Sequence, residues 1–526
     1  MMLDAPTKDN VSERLAAGSP ALGRGRSTAR PRGARRIDCD GSEGVLVSSV
    51  GAAGLGGCTE KRTARRIHPL EAVRVEERGQ LAQSLGRHAV VIGAGLAGLA
   101  AGQALAEAFD RVTVFERDTL PETPVARAGA PQGRHLHSLL ASGQRALESL
   151  FPGLEAALEA AGAVLMRAGL DLRTERPGFD PFPRRDLGWH GYAMSRPLVE
   201  HCVRTFARES VELRAGCRVE RIALSADGAR VMGVEHTNGS GERETLEAEL
   251  VVDASGRGAL ISAALEASGR PLPEETRIEV NLGYSTGLFR IPAGAAVDFK
   301  AAVTFPDVPA NGRGGLLLGI EGGRWILSVG GQGAEKPPGD WGGFMEFVRQ
   351  LRTPTIYDAV HGAERLGDIA RFGFPASVWR HFERLEQLPV GLLPLGDAIC
   401  RFNPIYGQGM SVAAQEACLL RRQLEAVAHE PAPLAALGRR FLAEVPGLLD
   451  GPWALSALPD LANPSTKGVR PPDLGQRLRF GAALARLAAE DPDVHRLMLE
   501  VQHLLRPRSA LAEPGLQRRV AELMAG

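Results

Sequence analysis

The sequence contains little cysteine. Six cysteines occur among 526 residues, at irregular spacing and with no C-x-x-C pair: Cys39, Cys58, Cys202, Cys217, Cys400 and Cys418. Zinc-type metal sites use closely spaced cysteine pairs, so the sequence predicts no metal site. Disulfide frameworks are typical of small secreted domains. We therefore expect these thiols to be reduced and to pack as small apolar groups.

The sequence also lacks an excess of charge of either sign. Lys plus Arg and Asp plus Glu number 62 each, so no net field attracts nucleic acid or an anionic membrane. No apolar run reaches the ~18 residues of a spanning helix. The first residues, MMLDAPTKDNVSERL, have no basic segment followed by an apolar core, as a secretory signal would. These features predict a soluble cytoplasmic protein with no transmembrane segment and no nucleic-acid partner.

The first 86 residues differ in composition from the rest. Residues 23–36 (GRGRSTARPRGARR) are rich in Arg and Gly and have no periodicity, which predicts a disordered basic extension over 1–86. A basic arm that binds nucleic acid or a membrane is the alternative interpretation. Residues 51–57 (GAAGLGG) imitate a phosphate-binding loop, but no strand and helix enclose them, so we assign them no function.

A strand, a glycine-rich loop, a helix and a second strand follow one another from residue 88. Residues 88–92 (HAVVI) and 111–116 (RVTVFE) are apolar strands, and 93–109 form a helix that glycines open. The loop has the spacing G-x-G-x-x-G, and an acidic residue ends the second strand. This frame predicts a dinucleotide-binding βαβ unit.

Each residue type in this unit has a physical reason. Gly93 permits the tight turn, Gly95 lets the backbone approach a pyrophosphate at the helix N-terminus, and Gly98 allows close helix–sheet packing. Glu116 would accept hydrogen bonds from the adenosine ribose. Three neighbours are also predicted to contact the cofactor: Leu96, Ala97 and Arg117. This motif alone does not distinguish FAD from NAD.

A second motif lies some 300 residues later. A buried strand over 389–398 ends in Gly-Asp-Ala, and residues 403–410 (NPIYGQGM) open a helix over 409–427. Here the chain resembles the FAD-dependent monooxygenases of the para-hydroxybenzoate hydroxylase type. The resemblance implies that Asp397 contacts the ribityl chain of FAD. It also implies that Pro404 and three residues of the loop lie along the isoalloxazine ring: Gly407, Gly409 and Met410.

Further segments resemble a narrower subgroup, the bacterial flavin epoxidases of polyether biosynthesis, with squalene monooxygenase as a more distant relative. These segments are 127–137 (RAGAPQGRHLH) and 194–196 (MSR). The resemblance implies cofactor contacts from five residues: Arg127, Gln132, Arg134, His135 and Arg196. It covers about 87–430, and within it His135 and His137 lack a carboxylate cluster, so we predict no metal there.

The segment 251–257 (VVDASGR) resembles the D-G segment of the family, which serves FAD pyrophosphate and NAD(P)H. This likeness predicts that Asp253 contacts the cofactor. The glycine that directly follows the aspartate in the family is absent here. The source of the flavin's electrons therefore stays open between NAD(P)H and a partner flavin reductase.

The resemblance implies a monooxygenase. FAD, once reduced, would react with O2 to give a flavin hydroperoxide, which passes one oxygen to an organic, apolar secondary-metabolite substrate by epoxidation or hydroxylation. No catalytic side chain is assigned, because the flavin carries the chemistry. Three alternatives stay open: a reductase of polyprenyl double bonds like the geranylgeranyl reductases, a flavin halogenase, and a non-catalytic flavin-binding module. The oligomeric state is not predicted.

The predicted fold class is α/β (α+β). A Rossmann-like FAD-binding domain in two pieces, 87–270 and 386–427, holds an inserted substrate domain over 271–385. Alternating strands and turns predict a mostly antiparallel sheet in that insertion. A hairpin is expected at the Asn-Gly step of residue 238. Residues 428–526 are predicted to form a helical C-terminal region with a proline-rich loop at 463–473.

Overall fold

The computed structural model describes residues 84–308 and 310–525. The glycine-rich segment 51–57 and the predicted extension up to residue 83 lie outside the described residues, as do Cys39 and Cys58. The strands are β1 Gly86–Ile92, β2 Phe109–Glu116, β3 Val164–Arg167, β4 Leu172–Glu175, β5 His190–Ala193, β6 Glu212–Ala215, β7 Arg218–Leu224, β8 Val231–Thr237, β9 Arg243–Glu247, β10 Leu250–Asp253, β11 Glu275–Arg290, β12 Ala301–Thr304, β13 Gly314–Ile320, β14 Arg324–Gln332, β15 Arg365–Arg380, β16 Leu392–Pro394 and β17 Cys400–Arg401. The α-helices are α1 Leu96–Leu105, α2 Ala141–Leu150, α3 Leu154–Ala160, α4 Arg196–Ala207, α5 Ala259–Ala267, α6 Trp341–Arg349, α7 Thr355–Val360, α8 Gly409–Val427, α9 Pro433–Ala462, α10 Leu474–Glu490, α11 Pro492–Gln502 and α12 Pro514–Ala525.

Five strands form a parallel sheet in the order β16-β10-β1-β2-β6. Val91 of β1 pairs with Val252 of β10 on one side and Val114 of β2 on the other. All three valines are fully buried, as expected for a parallel sheet that helices cover. The chain leaves this sheet after β10 and returns to it only with β16. The predicted Rossmann-like arrangement is confirmed.

A larger sheet of seven strands has the order β17-β15-β11-β14-β13-β12-β4. Its pairs are antiparallel except for β12 with β4, which confirms a mostly antiparallel sheet. The two longest strands, β11 and β15, have 16 residues each and lie side by side. Since β4 and β17 come from outside 271–385, the sheet takes in more of the chain than the predicted insertion. The division into domains stays a prediction.

Apolar side chains cover both faces of this sheet. On one face, Phe289 and Leu327 pack with Phe344 of α6 and Ile356 of α7. On the other face, residues of β11 pack against Ala457 and other side chains of α9. The C-terminal region therefore contributes directly to the core beside the sheet.

The predicted hairpin and the predicted bounds of α8 agree with the structure, whereas two predicted elements were too long. The strand predicted over 389–398 is only Leu392–Pro394, because Gly396–Ala398 forms a 3-10 turn. The hairpin of β8 and β9 turns at Asn238, whose backbone N–H donates to Glu242 O at 2.9 Å. Helix α8 has the predicted bounds, and α9 begins at Pro433, where a missing N–H costs nothing. The helix predicted over 93–109 is only Leu96–Leu105, because Gly93 and Gly95 form the preceding loop and Phe109 already belongs to β2.

The C-terminal region is helical, as predicted, through α9 to α12. Helices α10 and α12 enclose Phe182 in a separate apolar cluster with Ala488 and Val520. Within the residues that the structure describes, no helix is long and apolar enough to cross a membrane.

Candidate functional site

Three loops meet at one edge of the parallel sheet. They follow β1, β10 and β16, and the carboxyl ends of neighbouring parallel strands lie together. A Cβ added at Gly93 would lie 2.9 Å from Ala254 O, and one at Gly396 would lie 3.0 Å from the Cβ of Ala97. The two motifs recognised in distant parts of the sequence therefore adjoin, with the segment after Asp253 between them.

The glycines of the first loop have different surroundings. A Cβ at Gly98 would lie 1.8 Å from Gly93 O, so only glycine lets α1 pack this close to the loop. Gly93 has φ +102, which also favours glycine. Gly95, by contrast, has no atom within 4 Å of its Cβ position. Gly95 is also the N-cap of α1, and no side chain caps the helix there. The helix N-terminus, with its unpaired N–H groups, therefore faces open space.

Glu116 ends β2 and is buried beside this loop. One carboxylate oxygen accepts from Ala94 N at 3.0 Å, and the other accepts from Asp118 N at 3.1 Å. Glu116 therefore fixes the glycine loop to the end of the neighbouring strand. Next to it lies an open pocket of ≈ 320 Å³ lined by Asp118, Thr119, Pro121, Ala126, Arg127 and Ala128. The contact of Glu116 with a ribose stays a prediction, as does that of Arg117, whose side chain is exposed.

Arg127 lies among three carboxylates, with its side chain only 9% exposed. Its guanidinium is 2.8 Å from Asp118, 3.1 Å from Glu116 and 3.7 Å from Glu200. Burying one cation among several anions is tolerated because the charges compensate one another. Arg127 thus ties the end of β2 to helix α4, where Glu200 lies.

The same network continues to the histidines. Arg196 donates from Nε to Glu200 at 2.7 Å, and its Nη1 lies 3.2 Å from His137 Nε2. His137 Nδ1 is 3.0 Å from His135 O, so the neutral ring can donate there and accept from Arg196. Burial, followed by the charge of Arg196, lowers the pKa of His137 to about 3. Glu200 joins Arg127 and Arg196 and was not identified from the sequence.

His135 lies against the antiparallel sheet and is 2% exposed. Its Nδ1 is 2.8 Å from Thr286 Oγ1, which is 2.6 Å from Ser328 Oγ. The rings of Tyr284 and Phe372 meet the imidazole edge-on, with centroids 4.7 and 5.8 Å away. Burial and the nearby Arg134 charge lower the pKa of His135 to about 4, so the ring is neutral. His135 is thus held between aromatic side chains and two hydroxyl groups.

The preceding turn, Pro131–Arg134, carries two other predicted residues. Gln132 is half-buried and Arg134 is exposed. Their contact with a cofactor stays a prediction.

Asp253 is fully buried at the end of β10. Its two oxygens accept from Ser255 N at 3.0 Å and from Ile261 N at 3.1 Å. The carboxylate therefore orders the loop between β10 and α5. Gly256 in that loop has φ +91 and no atom within 4 Å of its Cβ position. The residues after Asp253, rather than Asp253 itself, thus border the open space beside this loop. A direct contact between Asp253 and the cofactor stays a prediction.

Asp397 follows β16 and lies beside the N-terminus of α8. A Cβ at Gly409 would be 3.7 Å from its Oδ1. The side chain is exposed, yet protein surrounds it on the other sides, so it lies in a cleft. This desolvation raises the pKa of Asp397, while the charges of Arg196, Arg401 and Arg380 oppose the rise. The predicted acid is therefore available to a ligand in the cleft.

The segment after Asp397 packs against the segment that carries the histidines. Pro404–Tyr406 is a short 3-10 turn, and Gly407 follows it with φ +66. A Cβ at Gly407 would lie 2.8 Å from the Cβ of Ser138. Ser411 Oγ accepts from Leu140 N at 2.9 Å. Pro404, Gly409 and Met410 are half-buried at this junction. The loop that follows Asp397 therefore packs on residues 138–140, which directly follow the histidine segment.

Two buried carboxylates behind the site were not predicted. Glu416 of α8 is fully buried and accepts from Gly396 N at 2.5 Å. It lies at i+4 from Val412 and i−4 from Leu420, so its place in an apolar stripe could have identified it. Asp460 lies in the last turn of α9 and bonds to Asn403. No sequence pattern connects those two residues.

Several solved structures of similar fold are flavoproteins. A flavoprotein/dehydrogenase from Cytophaga hutchinsonii has a TM-score of 0.60 at 14% identity, covering 84% of this chain and 99% of that one. The flavin-dependent brominase Bmp2 has a TM-score of 0.57 at 16% identity, covering 80% and 93%. The p-nitrophenol 4-monooxygenase PnpA from Pseudomonas putida DLL-E4 has a TM-score of 0.55 at 18% identity, covering 80% and 99%.

The fold is therefore that of the FAD-dependent monooxygenases and flavin-dependent halogenases, as the resemblance implied. Among proteins with this fold, the chain belongs to the same family as Protein Rv3254 from Mycobacterium tuberculosis (strain ATCC 25618 / H37Rv). The two are 36% identical over 358 residues, which are 64% of this chain and 73% of that protein. No protein-family model matches the chain. The narrower likeness to polyether epoxidases stays a prediction.

Proposed function

We propose that this chain is an FAD-dependent monooxygenase that inserts one oxygen atom of O2 into an apolar organic substrate. The observation that supports this most is the meeting of three loops around open space. Gly95 and Gly256 leave that space free, and Asp397 borders it. The ADP half of FAD would lie at the first loop, with the flavin end beside residues 397–410.

The site suits the charges of FAD. The N-terminus of α1 faces the open space at Gly95, where backbone N–H groups and the helix dipole favour a pyrophosphate. The N-terminus of α8 lies beside Asp397 and would stabilise negative charge on the pyrimidine side of reduced flavin. Two helix N-termini at one cleft thus match the two places where this cofactor carries negative charge.

FAD, when bound, supplies the redox chemistry that activates O2. The protein must then hold the substrate close and exclude water. Tyr284 and Phe372 offer aromatic surface for this purpose, and neutral His135 is held in place by its hydrogen bond to Thr286. This combination favours an apolar substrate over a charged one. Within this proposal, epoxidation and hydroxylation are both open, and the electron donor is NAD(P)H or a partner flavin reductase.

The test follows oxygen into the product. Purified protein loaded with FAD is reduced anaerobically with NADPH, NADH or a flavin reductase, and is then mixed with ¹⁸O₂ and candidate alkene or arene substrates. We expect the product mass to rise by one ¹⁸O atom and the same label to be absent without enzyme. Mass spectrometry of the product and absorbance of the flavin measure the two halves of the cycle.

Other outcomes contradict the proposal and identify the alternatives. A hydrogenated product without oxygen uptake identifies a reductase of double bonds, and a product that forms only with halide identifies a halogenase. If the protein binds FAD but converts none of these substrates with any of the electron donors, it is a non-catalytic flavin module. Failure to bind FAD rejects the whole assignment.

A further inference from the structure

A carboxylate of the C-terminal region holds the segment that follows Asp397. Asp460 lies in the last turn of α9 and is 2% exposed. Asn403 Nδ2 donates to its two oxygens at 3.0 and 3.1 Å. Tyr406 Oη donates to Oδ1 at 2.9 Å. One buried acid thus receives hydrogen bonds from both sides of the turn Pro404–Tyr406.

Asn403 uses both ends of its amide in this arrangement. Its Oδ1 accepts from Ile405 N at 3.2 Å and caps the turn locally, while Nδ2 is used by Asp460. Asn403 is fully buried, so these bonds replace all contact with water. The residues between Asn403 and Gly407 are the more exposed ones, and Ile405 is 51% exposed. The anchor therefore lies on the buried side of the turn, whereas Ile405 is exposed.

The attachment of α9 does not depend on this acid. Ala457 and Leu461 of the same helix pack with Ile278 and Leu282 of β11. A buried carboxylate is costly unless hydrogen bonds compensate its desolvation. The desolvation of Asp460 is compensated only when Asn403 and Tyr406 both donate hydrogen bonds to it. The carboxylate therefore favours the one conformation of the turn in which both donors reach it.

We propose that Asp460 is a positioning residue that sets the conformation of residues 403–407. This inference deepens the proposed function and rests on it for the flavin, because these residues would lie along the isoalloxazine ring. It gives the C-terminal helical region a role at the site: the region completes the flavin environment from behind. Asp460 lies outside residues 87–430, the part of the chain whose sequence motifs resemble those monooxygenases.

The variants separate anchoring from general packing. D460A removes the acceptor, and Y406F removes one hydrogen bond with little change of shape. The double variant N403D/D460N exchanges the two groups. Its carboxylate at position 403 can still accept from Ile405 N, while its amide at position 460 donates to that carboxylate and accepts from Tyr406. S456A is the matched control: Ser456 is as buried and lies one turn earlier in α9, but its hydroxyl bonds only to Pro452 O and Trp453 O of its own helix.

Two measurements are made on the full chain. Hydrogen–deuterium exchange of the amides of residues 405–407, without added FAD, reports the turn directly. We expect about tenfold faster exchange in D460A, which removes the acceptor of both Asn403 and Tyr406. We expect a smaller rise in Y406F, which removes one of these hydrogen bonds, and wild-type exchange in S456A. With FAD added, D460A should bind it about tenfold more weakly and alter its visible spectrum, and N403D/D460N should restore both within about threefold.

The outcomes decide the two claims separately. Wild-type exchange in D460A and Y406F overturns the anchoring role of Asp460, whatever the flavin does. Faster exchange with unchanged FAD affinity and spectrum overturns its effect on the flavin. If the wild-type protein binds no FAD, the proposed function fails, while the exchange rates still decide whether Asp460 holds the turn. If D460A does not fold, Y406F and the double variant carry the comparison.

Discussion

Glu416 is a buried acid whose protonation state affects the stability of the protein. Burial raises the pKa of its carboxyl to about 8, against the hydrogen bond from Gly396 N, and nearby Asp397 adds to the rise. The side chain is therefore protonated at neutral pH and acts as a neutral acceptor for the Gly-Asp-Ala turn. Since its folded pKa lies above its unfolded value, stability is full at acid pH and falls as the pH rises towards 8.

Replacement of Glu416 tests this assignment. The neutral isostere E416Q keeps the acceptor for Gly396 N, so we expect it to remain within ~1 kcal/mol of wild type near pH 4, where the acid is protonated in both the folded and the unfolded state. Between pH 6 and 8 the wild-type protein should lose about 2 kcal/mol relative to E416Q, because only in the wild type does the unfolded state release a proton that the buried acid retains in the folded state. Urea unfolding at several pH values measures the difference. Parallel pH profiles for the two proteins would show that Glu416 titrates normally.

The loop between β1 and α1 contains two glycines whose replacement should have opposite effects on folding and on FAD binding. G98A places a methyl group 1.8 Å from Gly93 O, and we expect it to destabilise the fold by about 3 kcal/mol. G95A is the matched control, because its methyl group meets no atom within 4 Å. G95A should fold normally but bind FAD at least about tenfold more weakly, since the added carbon occupies the path of the pyrophosphate. Thermal unfolding and FAD titration measure the two effects.

If G95A binds FAD as tightly as wild type, the pyrophosphate does not bind beside Gly95. A G98A protein as stable as wild type would show that α1 can move away from the loop. The pair is informative because both changes add the same methyl group to the same loop.

The elements that the sequence predicted are those whose signals are contiguous. Strand β1 and the Gly93–Gly98 loop are encoded within a few residues, and so is α8 after the Gly-Asp-Ala turn. The contacts that order the site behind them are not contiguous. Glu200 reaches Arg127 through α4, and Asp460 reaches Asn403 only because α9 packs on β11. Such pairs depend on tertiary packing, which no local pattern encodes.

Two sets of buried titratable groups have opposite effects on the pH dependence of stability. Burial lowers the pKa of four histidines to about 3 or 4: His135, His137, His495 and His503. Each is neutral in the folded state, so stability is lost as the pH falls below 6.5. Burial raises the pKa of Glu416 to about 8 and of Asp460 to about 6, so each of these costs stability as the pH rises.

We therefore expect the melting temperature to pass through a maximum near pH 6.5. Above it, the folded state retains the Glu416 proton that the unfolded state has released, so stability falls by about 1.4 kcal/mol per pH unit until pH 8. Below pH 6.5, protonation of the four histidines in the unfolded state lowers stability by more than the two buried acids raise it. Carboxylates with a lowered pKa, such as Glu212 at about 2, add to this loss of stability at lower pH. Thermal unfolding from pH 4 to 9 checks this shape. A melting temperature that rises steadily towards acid pH would contradict the burial of the histidines.

The order β16-β10-β1 has a consequence for synthesis on the ribosome. The strand at the edge of the parallel sheet is made only after the whole antiparallel sheet up to β15 has been translated. During that interval β10 has an open edge, and long-range pairing of this kind is slow to form. The loops beside Gly93 and Asp397 can meet only when β16 docks, so the cleft is among the last parts to assemble. A ligand that bridges the two loops would then act on the nascent chain as well as the finished one, by holding the late strand in place.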